Sequence, residues 1–152
     1  NPLLLRVAQN TVVTLSGRNA ARLLVSFPDA PWFVPDRELD LFWSLGCLHH
    51  TPHMASILQR AVECLKPDGE CRILVYSDKR WQRMMGEPLP ETPLWKHSNF
   101  DKWTRLNDTV GHYADAFGDG KIRALVEPFA KVEWCGYLCD DEMLGVVLRR
   151  KS

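Results

Sequence analysis

The residues with the clearest chemical potential lie together in the stretch GCLHHTPH, residues 46–53. Its cysteine and histidines are all ligand types that zinc accepts: Cys47, His49, His50 and His53. The spacing matches no strong zinc pattern, because two histidines are adjacent and a structural site usually closes with a second, distant ligand pair. The pair available for that role, Cys135 and Cys139, falls across a predicted strand and its exit. We therefore expect no metal, and a metal-dependent protein using residues 47–53 is the weaker alternative.

A strand and a helix flank this stretch. The apolar run LDLFWSL (39–45) predicts a strand buried on both faces, which Gly46 ends. Thr51 is a candidate helix N-cap and Pro52 a first helical residue, and apolar residues at helical spacing follow them. The histidines therefore occupy the loop between a strand and its following helix.

A second strand completes one βαβ unit. The turn residues KPDGE (66–70) end the helix, and CRILVY (71–76) is rich in β-forming residues. A strand, helix and strand of this length require a parallel pair and a right-handed crossover. In open α/β sheets, ligands bind outside the carboxyl ends of the strands. The loop after residue 45 is thus in the right place for a small ligand.

The C-terminal part predicts a helix over 121–129 and strands over 131–138 and 143–150. The four residues CDDE between these strands permit an antiparallel hairpin and exclude a parallel crossover. The N-terminal stretches 11–16 and 22–27 are further candidate strands. The fold class expected is α/β with a mixed sheet whose antiparallel element lies at the C-terminal end.

Residues 77–119 follow no single period and interleave aromatic residues with prolines and charges. The segment is too aromatic for a disordered linker, so we expect an inserted cap packed on the main sheet within a single domain spanning 1–152. Tryptophan and tyrosine line small-molecule pockets well, which makes this cap the expected region of substrate recognition.

Composition excludes several classes of function. The 19 basic and 19 acidic residues cancel, so bulk charge predicts neither a nucleic-acid partner nor an anionic membrane partner. No apolar run approaches the roughly 18 residues that span a bilayer, and the start does not resemble a secretory signal. The five scattered cysteines favour a reducing, cytoplasmic location. The absence of an initiator methionine suggests a chain that begins inside a longer protein.

The run LDLFWSLGCLHHTPHMASILQRAVECLKPDGECRILVYS (39–77) resembles the middle of the class I S-adenosylmethionine-dependent methyltransferases. The likeness is to the small-molecule branch that includes quinone-biosynthesis enzymes, which typically read FDLV.S.GVLHH..D and, after a helix, LKPGGE. Residues that match in order and spacing are Asp40, Ser44, Gly46, Leu48, His49, His50, Leu65, Lys66, Pro67, Gly69 and Glu70. Upstream, FPDAPWFVPDRELD is similar to the family's DA..LPF.D..FD.

The resemblance implies a mostly parallel Rossmann-like sheet with a C-terminal antiparallel hairpin, S-adenosylmethionine as cofactor and methyl transfer to a small organic acceptor. Asp29 and Ala30 match positions near the adenine, and Ser44, Leu45 and Gly46 match the strand end beside the methionine portion. His49, in the same loop, joins them as a cofactor-binding candidate. An oxygen or nitrogen acceptor also needs a base, for which the candidates are His49, His50, Asp78, His97 and His112.

The sequence departs from the family at its glycine-rich loop, which is missing. The one GxG, Gly118-Asp119-Gly120, follows no predicted strand and is expected to be a plain turn. The acidic residue expected at the end of the second strand is replaced by Thr14 and Ser16. Either the chain lacks the first βα unit, or it is a non-catalytic binding or scaffolding relative that has lost the cofactor loop. The acceptor and the oligomeric state do not follow from the sequence.

Overall fold

A computed structural model describes residues 39–107 and 113–151. Its strands and helices follow the chain as β1 (Leu39–Leu45), α1 (Met54–Cys64), β2 (Leu65–Tyr76), α2 (Asp78–Met85), α3 (Phe100–Leu106), α4 (Asp119–Val126), β3 (Ala130–Leu138) and β4 (Met143–Arg150). Short 3-10 turns lie at Leu48–His50 and Leu94–Lys96. The predicted bounds of β1 and β4 are confirmed residue for residue, because turn-forming residues on either side of an apolar run fix where the strand begins and ends.

The described strands form one four-stranded sheet in the order β1-β2-β4-β3. β1 and β2 are parallel, whereas β4 runs antiparallel to both of its neighbours. The expected mostly parallel sheet is not supported, since one of these three pairs is parallel. The physical reason is that the tight turn after β3 makes β4 antiparallel to it, and β4 then inserts between β2 and β3.

Two local predictions around α1 were wrong. The helix begins at Met54 rather than at Pro52, with His53 at the N-cap position, and the Thr51 hydroxyl accepts from the His53 N–H at 3.2 Å in the turn before it. Residues 66–70 do not form a separate turn but bulge out of β2, whose pairing with β1 jumps from Leu65 to Glu70. A Cβ at Gly69 would lie 2.6 Å from the carbonyl oxygen of Leu39, so the bulge requires glycine there.

The main core lies on one face of the sheet, under α1 and α4. It includes Leu58 and Val62 of α1, Ile122 of α4 and Ile73 of β2. Each such fully buried aliphatic side chain contributes about 1.5–3 kcal/mol by leaving water. Because β1 and β2 are parallel, their carboxyl ends lie at the same edge of the sheet.

The opposite face of β1 is exposed, which corrects the expectation of a strand buried on both faces. Trp43 is 64% exposed, and Leu41 and Leu45 on the same face are exposed too. The reason is that α1 and α4 both pack against the other face. On β3, the Trp134 indole lies over Gly136 and Gly145 on this exposed face.

A second, smaller core lies within residues 77–116. Trp81 and Trp103 are fully buried with ring centroids 5.2 Å apart, and Leu94 is buried with them. None of the described helices is long and apolar enough to cross a membrane.

Candidate functional site

The carboxyl end of β1 is shaped by Gly46, which has a φ of 67°. Its N–H donates to the carbonyl oxygen of Leu74, 2.9 Å away, so the chain turns as soon as it leaves the sheet. A Cβ at Gly46 would meet nothing within 4 Å. The left-handed backbone conformation alone therefore explains the glycine, and it leaves open space beside the strand end.

His49 follows in the 3-10 turn and is completely buried. Its ring lies against those of Tyr76 and His50, with centroid separations of 3.8 and 4.1 Å. Neither ring nitrogen has a hydrogen-bond partner among the described residues. Burial, then the nearby His50 and Arg80, lowers the pKa of His49 to about 3, so the imidazole is neutral at physiological pH.

The segment 113–117 fastens this turn to β2. The N–H of Asp115 donates to the His49 carbonyl oxygen at 2.8 Å, and the N–H of Phe117 donates to that of Tyr76 at 2.9 Å. The Nδ1–H of His50 donates to the Tyr113 carbonyl oxygen at 3.2 Å. The conformation of the histidine loop therefore depends on a segment more than 60 residues away.

A buried ion pair holds that segment in turn. The Asp115 carboxylate, 5% exposed, accepts a hydrogen bond of 2.7 Å from Nζ of Lys121, which is 14% exposed. It also accepts from the Tyr113 hydroxyl at 3.1 Å and from the Ala116 N–H at 2.8 Å. Burial and the adjacent Asp115 carboxylate raise the pKa of Tyr113 above its ordinary value, so the phenol keeps its proton. We call Tyr113, Asp115 and Lys121 the polar cluster.

A cavity of about 710 Å³ opens beside the polar cluster, within the range of about 300–1,000 Å³ typical of ligand pockets. The start of α1, the start of α4 and the loop before the second 3-10 turn surround it. Its lining residues include Thr51, Pro52, Met54, Glu91, Pro93, Trp95, Phe117 and Leu125. The loop that leaves β1 thus leads directly into the wall of a cavity of substrate size.

The predicted site residues are partly brought together. Ser44, Leu45, Gly46 and His49 lie at one edge of the sheet, while Asp29, Ala30 and His112 lie outside the described residues. Asp78 begins α2, where its carboxylate accepts from the Lys79 N–H at 2.9 Å. The His97 ring packs edge-on against Trp81 in the second core, with centroids 5.6 Å apart.

No group of three or more histidine, cysteine or acidic side chains is arranged to hold a metal ion within 39–107 and 113–151. Cys47 donates instead to the Leu45 carbonyl oxygen at 3.2 Å. The polar cluster is not among the site residues expected from the sequence. A usable signal was the single charged residue in the otherwise apolar run YADAF (113–117), since a charge in such a run usually has a buried partner.

Solved structures of similar fold are numerous. PH0226 from Pyrococcus horikoshii OT3 has a TM-score of 0.66 at 12% identity, over 99% of this chain and 68% of that one. The Burkholderia thailandensis 1,6-didemethyltoxoflavin-N1-methyltransferase was solved with bound 1,6-didemethyltoxoflavin and S-adenosylhomocysteine. It has a TM-score of 0.61 at 14% identity, over 94% of this chain and 56% of that one. The mitomycin 7-O-methyltransferase has a TM-score of 0.64 at 17% identity, over 99% and 40%. The chain has a methyltransferase-like fold.

The sequence identity to these structures is low, at 12–17%. No family model and no curated protein matches the sequence. The chain spans 56% and 40% of the two methyltransferases described above. The methyltransferase-like fold is therefore shown, and activity, cofactor and substrate are matters of proposal.

Proposed function

We propose that this chain belongs to an enzyme that transfers a methyl group from S-adenosylmethionine to a small organic acceptor. The observation that carries the proposal is that a strand ending in a residue of left-handed backbone conformation and a cavity of substrate size lie at the same edge of the sheet. Gly46 ends β1 there, and Thr51 and Pro52 of the same loop line the cavity. The methyltransferase-like fold supports this assignment, and the matched run 39–77 supports a place in the small-molecule branch with quinone-biosynthesis enzymes.

The residues at this edge fit the cofactor in two respects. The space beside Gly46 is open, and the two nitrogens of His49 have no partner in the part of the chain that the structure describes, although the ring is buried. An unpartnered buried polar atom costs about 1–3 kcal/mol, which a polar group of a bound ligand would offset. In the proposal Ser44, Leu45, Gly46 and His49 hold the methionine portion, and Asp29 and Ala30 hold the adenine.

The cofactor, when bound, would supply a methyl group on a sulfonium whose sulfur leaves as a neutral thioether. The protein's remaining tasks are to align the acceptor and to exclude water. His49, with a pKa of about 3, is a poor proton acceptor at neutral pH, so we assign it to holding the ligand rather than to base catalysis.

We also propose that residues 77–119 act as an inserted cap. Their described parts contain a separate core around Trp81 and Trp103, and they contribute Pro93 and Trp95 to the cavity wall. A cap with its own core can carry substrate specificity without disturbing the sheet.

Titration calorimetry with S-adenosylhomocysteine tests the function. We expect binding, and we expect Asp29→Ala to weaken it at least about tenfold, because a lost hydrogen bond to a charged group is worth about 1.5–3 kcal/mol. Asp40→Ala is the matched control, since Asp40 is exposed and pairs with Lys66 at 2.8 Å. Absence of both heat and a thermal shift would instead support a non-catalytic relative that retains the fold.

A further inference from the structure

We infer that Arg80 is a positioning residue, which fixes the Tyr76 ring and, through it, the buried ring of His49 beside the carboxyl ends of β1 and β2. Its effect on binding rests on the proposed function, in which His49 holds the ligand. The placement of the His49 ring, by contrast, is a property of the chain alone. That placement follows from the ring contacts of His49 and Tyr76 and from the hydrogen bonds of the Arg80 guanidinium.

Ring contacts hold the His49 side chain, because its nitrogens make no hydrogen bond within the described residues. The ring lies against Tyr76 with a centroid separation of 3.8 Å and against His50 at 4.1 Å. His50 is anchored by its own hydrogen bond to the Tyr113 carbonyl oxygen, at 3.2 Å. The orientation of His49 therefore depends on what keeps the Tyr76 ring in position.

Arg80 fixes the Tyr76 ring through a cation–π contact. Its Cζ atom lies 4.6 Å from the centroid of that ring, within the roughly 6 Å over which the face of a tyrosine attracts a cation. The Trp103 indole meets the Tyr76 ring at right angles, with centroids 5.8 Å apart. Tyr76 thus has ring contacts to α2, to α3 and to the histidine loop, and the contact from α2 carries a charge.

The guanidinium of Arg80 is itself fixed by two further segments of the chain. Nη1 donates to the carboxylate of Glu142, directly before β4. Nε and Nη2 both donate to Oδ1 of Asn107, directly after α3, at 2.9 and 2.7 Å. The planar fork of arginine makes these bonds at once, which the single ammonium of lysine cannot do in the same geometry. A cation anchored in this way keeps its place over the Tyr76 ring.

The charge of Arg80 also acts on His49. Burial is the main cause that lowers the pKa of His49 to about 3, and the nearby His50 and Arg80 lower it further. Within the described residues, the titratable and charged groups that face the His49 ring are those of His50, Tyr76 and Arg80. Removing Arg80 takes away one positive charge and frees the ring that shields His49 from water, and both changes raise the pKa of His49. A residue that only stabilised α2 would not produce this rise.

Arg83 provides a matched control on the same helix. Its guanidinium shares the Glu142 carboxylate at 3.1 Å and donates to the Asp140 carbonyl oxygen at 3.2 Å. In the part of the chain that the structure describes, Arg80 and not Arg83 lies over the Tyr76 ring. Arg83→Gln therefore removes contacts between α2 and the turn before β4 and leaves the ring contacts of His49 intact.

NMR spectroscopy of the histidine rings in the full chain tests the placement, with the His49 signals assigned by their loss in His49→Phe. We expect Arg80→Gln to raise the pKa of His49 by at least about one pH unit and Arg83→Gln to leave it unchanged. Arg80→Lys, which keeps the charge without the fork, should raise it less and is the deciding variant if Arg80→Gln does not fold. An unchanged pKa of His49 in every Arg80 variant that folds, or an equal rise in Arg83→Gln, would overturn the positioning role.

Titration calorimetry with S-adenosylhomocysteine tests the effect on the site. Arg80→Gln should weaken binding at least about fivefold, whereas Arg83→Gln should change it by less than about twofold. Because Arg80 acts through Tyr76, Arg80→Gln should weaken binding little further in a chain that already carries Tyr76→Leu. Additive losses in the double variant would overturn the route through Tyr76.

The two measurements separate this inference from the proposed function. If the wild-type chain binds no S-adenosylhomocysteine, the methyl-transfer proposal fails, and the titration of His49 still decides whether Arg80 positions the ring. If S-adenosylhomocysteine binds and the pKa of His49 is unchanged in the Arg80 variants, methyl transfer stands and the positioning role is overturned.

Discussion

Replacing Lys121 with methionine should destabilise the protein strongly, because it leaves the Asp115 carboxylate buried without its cation. The two groups are 5% and 14% exposed and 2.7 Å apart, so water can replace the lost partner only in part. Removing one member of a buried ion pair typically costs about 3–5 kcal/mol. Asp115 retains its bonds from the Tyr113 hydroxyl and the Ala116 N–H, so we expect a loss of about 3 kcal/mol.

The double variant Asp115→Asn with Lys121→Met should recover much of that loss. It removes both charges, and the asparagine carbonyl oxygen can still accept from Tyr113. Replacing both partners of a buried pair by uncharged residues often changes stability little. We therefore expect the free energy of unfolding of the double variant to be about 1–2 kcal/mol higher than that of Lys121→Met alone.

Urea unfolding followed by tryptophan fluorescence measures these free energies, with equal slopes required before midpoints are compared. The cycle is completed by Asp115→Asn alone. If Lys121→Met costs less than about 1 kcal/mol, or if the double variant is no more stable than Lys121→Met, the carboxylate does not depend on Lys121 and the reasoning is wrong.

Three further predictions concern the site edge and the sheet. Gly46→Ala should lower the free energy of unfolding by about 1–2 kcal/mol, because residue 46 has a φ of 67°, which alanine adopts only with strain. Gly120→Ala should raise the free energy of unfolding by about 0.5–1 kcal/mol, because residue 120 lies within α4 with an ordinary φ and equally open space around its Cβ. Denaturant midpoints measure both changes, and equal effects of the two substitutions would contradict the argument from backbone strain. Gly145→Ala should cost about 1–3 kcal/mol because its Cβ would lie 2.8 Å from both the Trp134 ring and Cδ1 of Leu138. Trp134→Leu in the same chain removes one of these two contacts, so it should relieve part of that cost in the same assay. His49 takes up a proton on unfolding, so stability should be lost as pH falls from about 6.5 towards 3, at up to about 1.4 kcal/mol per pH unit, and His49→Phe should show a correspondingly shallower pH profile in urea melts.

The positions of the main elements were predictable because their signals are local. An apolar run before Gly46 predicted β1, and a four-residue connection predicted the antiparallel β3–β4 hairpin. The same local reasoning placed the histidine loop at the carboxyl end of a parallel strand. Errors arose where local signals compete, as at the start of α1, where Thr51 and Pro52 form a turn with His53 and the helix begins only at Met54.

Which strands become neighbours and which side chains meet were decided by tertiary structure. The sequence predicts the hairpin, yet only long-range pairing inserts β4 between β2 and β3. Trp43 is exposed on a face of β1 that the apolar run 39–45 predicted to be buried. The polar cluster has the same origin, since the backbone of Asp115 reaches His49 from 66 positions away along the chain. The pattern of apolar and turn residues determines whether a segment is a strand or a helix, because these preferences act over a few neighbouring residues. The site instead forms from contacts between residues far apart in the sequence, which exist only when the whole sheet is assembled.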